Sequence, residues 1–142
     1  ILAEVTYQGR QVQVINTHLG LNSRERLVQI DSLLGEDWLG HPECKGPVIF
    51  CGDLNAPPNS AVCQRLGSRL QDAQVALAGH RPAGTFPSRF AAARIDHIFV
   101  SSQLAVTAVE IPASDLVKRA SDHLPLLVQL RLPQAETYST DA

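Results

Sequence analysis

An apolar run, Val48-Ile49-Phe50-Cys51, stops abruptly at Gly52-Asp53-Leu54-Asn55 and then at the consecutive prolines Pro57 and Pro58. Apolar residues with β-branched Val and Ile among them suit a strand covered on both faces, and Gly52 lets the backbone turn sharply at its end. Such a strand belongs to a layered α/β fold, in which ligands collect at the C-terminal mouth of the sheet because loops there are held rigidly yet stay open to solvent. Asp53 and Asn55 are left at that mouth. The same residues are ordinary turn formers, so the stretch by itself leaves a turn and a site equally open.

At 142 residues, 44% of them hydrophobic, the chain can build one domain with a core. Twelve Lys and Arg against fourteen Asp and Glu leave a formal charge of -2 and no broad footprint for nucleic acid. No apolar run is long enough to span a bilayer. Cys44, Cys51 and Cys63 are odd in number and lack C-x-x-C spacing, which indicates neither a disulfide framework nor a zinc knuckle. A reducing, cytoplasmic compartment is expected. Because the chain begins at Ile1 inside a strand-like run, an N-terminal part is expected to be missing.

Along the chain, Ile1 to Tyr7 and Gln11 to Asn16 read as a β-hairpin joined by Gln8-Gly9-Arg10. Asn22 as N-cap, Glu25 at the third helical position, and Leu27, Ile30 and Leu34 at helical spacing predict an amphipathic helix that ends near Gly35 or Trp38. Asn59 or Ser60 caps a second short helix through about Leu66 that ends near Gly67, while Asp72 to Ala78 fits helix or strand alike. Gly79 to Ala93 reads as a long surface loop. Strands are expected at Ile95 to Val100, Leu104 to Ile111 and Leu124 to Leu132, with a polar link from Ala113 to Ala120. The domain is expected to span 1–132 and a polar tail 133–142.

Polar residues therefore stand at four strand ends: Asn16 and His18, Asp53 and Asn55, Asp96 and His97, Asp122 and His123. One such residue is ordinarily structural, but four groups of Asp, Asn and His in one small chain suggest a shared site. They suit metal-assisted attack on a phosphate ester. Carboxylates hold a hard cation such as Mg²⁺ with room left for phosphate oxygens, and imidazoles stabilise charge developing on those oxygens. No Ser, Cys or Thr stands in a nucleophile setting, so water is the expected attacking group. Strand alternation turns His97 away from Asp96, towards a packing role. Arg81, Arg89 and Arg94 are either a phosphate-facing rim or ordinary surface cations.

In Asn16-Thr17-His18-Leu19, Gly52-Asp53-Leu54-Asn55, Ile95-Asp96-His97-Ile98-Phe99-Val100 and Ser121-Asp122-His123 the chain resembles the endonuclease/exonuclease/phosphatase superfamily, with the motifs in the family's order. The resemblance implies the C-terminal portion of a four-layer α/β sandwich, with the site at one edge of two packed sheets and Mg²⁺ or Mn²⁺ as cofactor. It implies that Asp53 orients or activates the attacking water, that Asn55 binds phosphate beside it, and that Asp53 and Asn55 also lie at the metal. It places His18 on a nonbridging oxygen, His123 as the essential imidazole oriented by Asp96, and Asp122 as a metal ligand. Asn16 supports the site or the fold, and Thr85 and Phe86 resemble a substrate-side loop, a Phe anchoring that loop to the core being an equal alternative.

The family also carries a glutamate ligand and an asparagine on strands before the histidine motif, and Glu4 does not match either position, so a half-built site with weak turnover is expected. Three alternatives stand beside a metal-dependent phosphoesterase. A DNA-repair nuclease of the same family meets the negative charge and the lack of a basic, aromatic segment, so a nucleic-acid partner is not favoured. A dinuclear metallophosphatase shares Gly52-Asp53 but calls for a Gly-Asn-His motif that the chain lacks. A non-catalytic interaction domain would retain the fold without the ligands.

Overall fold

The computed structural model describes residues 1–132, and the tail expected at 133–142 lies outside the described residues. β1 (Leu2–Tyr7) and β2 (Arg10–His18) form an antiparallel hairpin. Its two-residue turn, Gln8-Gly9, has positive φ at both positions, the backbone form whose twist matches that of paired strands. α1 (Ser23–Leu34) then crosses over to β3 (Val48–Asp53), which pairs parallel to β2. The Asn22 side chain caps α1 by accepting from the N–H groups of Arg24 and Glu25, an arrangement that stabilises a helix by about 1 kcal/mol.

α2 (Ala61–Gly67) is capped by Ser60 and leads to β4 (Gln71–Asp72) and the one-turn α3 (Ala73–Ala76). The ambiguous Asp72–Ala78 stretch thus begins on a strand and continues as a helix, with the Asp72 carboxylate accepting from Gln74 N–H at the switch. β5 (Asp96–Val100) runs antiparallel to both β3 and β4, completing a five-stranded sheet in the order β1-β2-β3-β5-β4. β6 (Ala105–Glu110) and β7 (Leu127–Arg131) form a separate antiparallel pair.

Alternation along the central strands sorts the core into two. Ile15, Phe50 and Phe99 face α1 and α2, where they pack with Ile30, Leu54, Leu66 and Leu70. Ile49, Ile98 and Val100 face the other way and meet Leu104, Val106, Leu130 and Leu132 of the second sheet. Helices, five-stranded sheet and two-stranded sheet are therefore stacked layers of an α/β sandwich. No helix among the described residues is long and apolar enough to cross a membrane.

Three expectations change. The polar link ends in a helix, α4 (Asp115–Ala120), whose N-cap Ser114 accepts from Val117 N–H; six residues are too few to show a helical period. The last strand begins at Leu127 rather than Leu124, because Pro125 has no N–H to donate to a ladder. Gly79–Ala93 is not simply a surface loop: Thr85 and Ser88 are buried, and Phe86 bridges to Ala93.

Candidate active site

The pairing register builds the site. His18 is the partner of Asp53 across the parallel β2–β3 ladder, and Asp53 is the partner of Asp96 across the antiparallel β3–β5 ladder. Residues directly opposite each other point to the same face, so the three side chains form one row across neighbouring strands. Because β5 runs antiparallel, its first residue reaches the same sheet edge as the last residues of β2 and β3. Two residues further in, Asn16, Cys51 and Ile98 form the next row on that face, and with Asp53, Asp96 and Leu124 they line a cavity of about 290 Å³.

His123 reaches the row from the loop before β7. Its Nδ1–H donates to Asp96 Oδ2 at 2.8 Å, since a carboxylate opposite can only accept. That assignment leaves Nε2 facing Asp53 Oδ2 at 3.8 Å. Asp96 Oδ2 also accepts from the Thr85 hydroxyl at 2.5 Å, and the Phe86 ring lies 4.8 Å from the imidazole, centroid to centroid. Burial alone would push the His123 pKa down; the hydrogen bond to Asp96, its charge, and the charges of Asp53 and Asp122 together raise it. His18 Nε2 stands 3.4 Å from Asp53 Oδ2 on the other side.

Asn55 adopts φ +48, a left-handed conformation that Asn tolerates better than most residues. Its N–H donates to Asp53 Oδ1 at 2.8 Å, and its amide donates to Leu19 O at 2.8 Å while lying 3.2 Å from His18 Nε2. The Asn side chain thereby ties the β2 terminus to the β3 terminus. Its conformation, like the close approach of Gly52 to Thr17, belongs to the turn that delivers Asp53.

The structure brings together His18, Asp53, Asn55, Asp96 and His123. Thr85 is fully buried and reaches this group through its hydroxyl, which donates to Asp96 and holds that carboxylate. Phe86, half-buried, backs the His123 ring. Asn16 is exposed at its own row, two residues behind His18. Asp122 is exposed, and its charge acts on His123. Among the described residues, the His, Cys, Asp and Glu donor atoms that lie within 4.8 Å of one another are those of Asp53, Asp96 and His123. The Asp122 backbone carbonyl accepts from Ser88 N–H at 2.6 Å and holds the loop that carries His123.

Arg94 does not form a rim either. It turns inward and donates to Asp72 Oδ2 at 2.7 Å, an ion pair that hides both partners. Cys51, Ile98 and Leu124 line the cavity but carried no polar signal in the sequence; only the period of two along β3 and β5 pointed to Cys51 and Ile98.

Two aspartates facing each other across one ladder rung repel, and such a pair is stable where a cation or proton lies between them. An oxygen-dominated donor set with one imidazole fits a hard divalent cation such as Mg²⁺ or Mn²⁺, which binds through one or two carboxylates and keeps several waters.

The two internal imidazoles make stability depend on pH. Burial depresses the His97 pKa, but Asp72, Cys63 and the Ala56 carbonyl outweigh it and lift it from 6.5 to about 9. A histidine held above its unfolded value contributes stability that is complete below pH 6.5 and lost as pH rises towards 9. Unfolding by urea in the presence of chelator is expected to show stability falling across that window, with His97 and His123 acting in the same direction. A flat profile would contradict the assignment.

A family model for the endonuclease/exonuclease/phosphatase family matches residues 2–123. The uncharacterized protein YbhP of Escherichia coli is 30% identical over 124 residues, 87% of this chain and 48% of that protein. A functionally unknown conserved protein from Enterococcus faecalis superimposes with a TM-score of 0.78 at 26% identity, covering 90% of this chain and 53% of that one. The Bacteroides thetaiotaomicron mannosyl-6-phosphatase Bt3783 superimposes with a TM-score of 0.69 at 26% identity, covering 87% of this chain and 52% of that one. The chain thus spans about half the length of the relatives it matches. With its four motifs gathered at one sheet edge and its matched region running through most of its length, the chain belongs to the endonuclease/exonuclease/phosphatase family.

Proposed function

We propose that this chain forms the acid-base half of a metal-dependent hydrolase that cleaves a phosphate ester by direct attack of water. The observation that carries this reading is the register row His18–Asp53–Asp96, closed from above by His123. Asp53 is hydrogen-bonded through Oδ1 to the Asn55 N–H, which leaves Oδ2 turned towards both imidazoles. A water held at Oδ2 would be oriented and relieved of a proton as its oxygen bonds to phosphorus and the ester P–O bond breaks, the bonding pair leaving on the alcohol oxygen, which takes a proton from solvent. Asn55 and His18 would contact nonbridging phosphate oxygens, and His123, its proton on Nδ1 secured by Asp96, would stabilise the charge that develops there.

Asp53 and Asp96 would hold Mg²⁺ or Mn²⁺ through their carboxylates, and the bound cation would supply charge that neutralises the phosphoryl oxygens. The likeness to the mannosyl-6-phosphatase Bt3783 and the net negative charge both favour a small phosphate ester over a nucleic acid. The three free thiols suit a reducing, cytoplasmic setting.

The test is hydrolysis by the full encoded protein of p-nitrophenyl phosphate and bis-p-nitrophenyl phosphate, with Mg²⁺ or Mn²⁺ and then with excess chelator. Release of nitrophenol that stops on chelation and returns with metal is expected. Rates no higher than the metal blank on both substrates would defeat the proposal in favour of a non-catalytic interaction domain.

A further inference from the structure

Behind the site, on the helix-facing side of the sheet, lies a row of buried polar groups that the chemistry above does not use. His97 is 2% exposed and follows Asp96 on β5, so alternation turns its ring away from the substrate face. Its Nε2 lies 2.9 Å from the carbonyl of Ala56. A carbonyl only accepts, so Nε2 carries the hydrogen. Cys63 Sγ is further from the same nitrogen, at 3.7 Å. On the other side of the ring, Nδ1 stands 3.9 Å from Asp72 Oδ2 and makes no hydrogen bond. Asp72 is anchored in turn by Arg94 and by capping α3.

Ala56 is the residue after Asn55. The left-handed turn at Asn55 is thus held at two points: in front by Asp53 Oδ1 and Leu19 O, and behind by the His97 Nε2–H bond to the next carbonyl. Without the rear bond, the buried Ala56 carbonyl would keep only the long, weak contact from the Cys63 thiol at 4.0 Å, a situation the turn would relieve by moving. We infer that His97 is a positioning residue, whose Nε2–H bond to Ala56 O fixes the turn that presents Asn55 to the phosphate. Arg94 and Asp72 back the ring from behind. The kinetic part of this inference rests on the phosphoesterase reading; the structural part does not.

The two ring nitrogens can be separated by substitution. His97→Gln places an amide nitrogen near the position of Nε2, whereas His97→Asn places one near Nδ1 and falls short of Ala56. In the full encoded protein, His97→Gln is expected to keep the slow hydrogen exchange of the Asn55 N–H and a near-native kcat. His97→Asn is expected to speed that exchange and to lower kcat about ten- to a hundredfold, with a smaller change in KM. Thermal unfolding of both variants checks that each is folded at the assay temperature. Should Gln and Asn behave alike, whether both retain or both lose protection and turnover, the positioning role is overturned. If the native protein shows no hydrolysis at all, the enzyme reading fails separately, and the exchange rates of Asn55 in the two variants still decide the role of His97.

Discussion

Asp53→Asn is expected to lower metal-dependent turnover by about a hundred- to ten-thousandfold while leaving the fold intact. The substitution is nearly isosteric, and the Asn55 N–H can still donate to the amide oxygen, so the turn survives. What is lost is the acceptor at Oδ2, the atom that faces His18 at 3.4 Å and His123 at 3.8 Å. An amide in its place presents either a non-basic oxygen or an N–H₂ group, and neither can take the proton of an attacking water. The amide also removes one of the two negative charges at the ladder rung, so affinity for Mn²⁺, read by calorimetry, should weaken as turnover falls. Full activity after this change would sink the assignment of Asp53. Loss of activity together with a collapsed unfolding transition would leave the comparison to Asp96→Asn, which removes the same charge from the other side of the rung.

Gly52→Ala is expected to destabilise the fold by an amount in the severe range for single substitutions, on the order of 3–5 kcal/mol. Gly52 has φ +142, a backbone conformation that L side chains rarely adopt, and a Cβ there would overlap the carbonyl oxygen of Thr17. Thr17 is the register partner of Gly52 on β2, so relief requires the two strands to part next to the row that carries His18 and Asp53. Gly67→Ala is the matched control. Gly67 has open space at its Cβ position and ordinary φ at the end of α2, so alanine there should be neutral or slightly stabilising. Equal melting temperatures for the two variants would show that the close approach at Gly52 is not needed.

Some of this architecture was legible in one dimension. α1 was, because a capping Asn22 and apolar residues at helical spacing are local signals that tertiary packing reinforces. β3 was, because its apolar run and the turn that follows act together. The grouping of Asp53, Asp96 and His123 was foreseen from strand ends, but their common row was not, since register and strand direction are long-range properties. That β5 runs antiparallel is what carries Asp96, at its start, to the edge where Asp53 ends. That the Thr85 hydroxyl is buried against the Asp96 carboxylate could not be read from its Gly- and Pro-rich loop. Arg94 and Asp72 are far apart in sequence, so their pairing could not be read from either neighbourhood.

One consequence of the shared ladder rung concerns how such a domain can change over time. The distance between Asp53 and Asp96 is set by the spacing of neighbouring strands, not by any loop. Loops around the rim can therefore lengthen, shorten or exchange residues without altering the gap between the carboxylates. A single inserted or deleted residue within β5 would do the opposite: it would rotate Ile95 or His97 into the rung and Asp96 out of it. Substrate preference is thus free to drift at the periphery while the reactive spacing stays quantised by the sheet, and natural length variation in this chain should fall between the strands and not inside them.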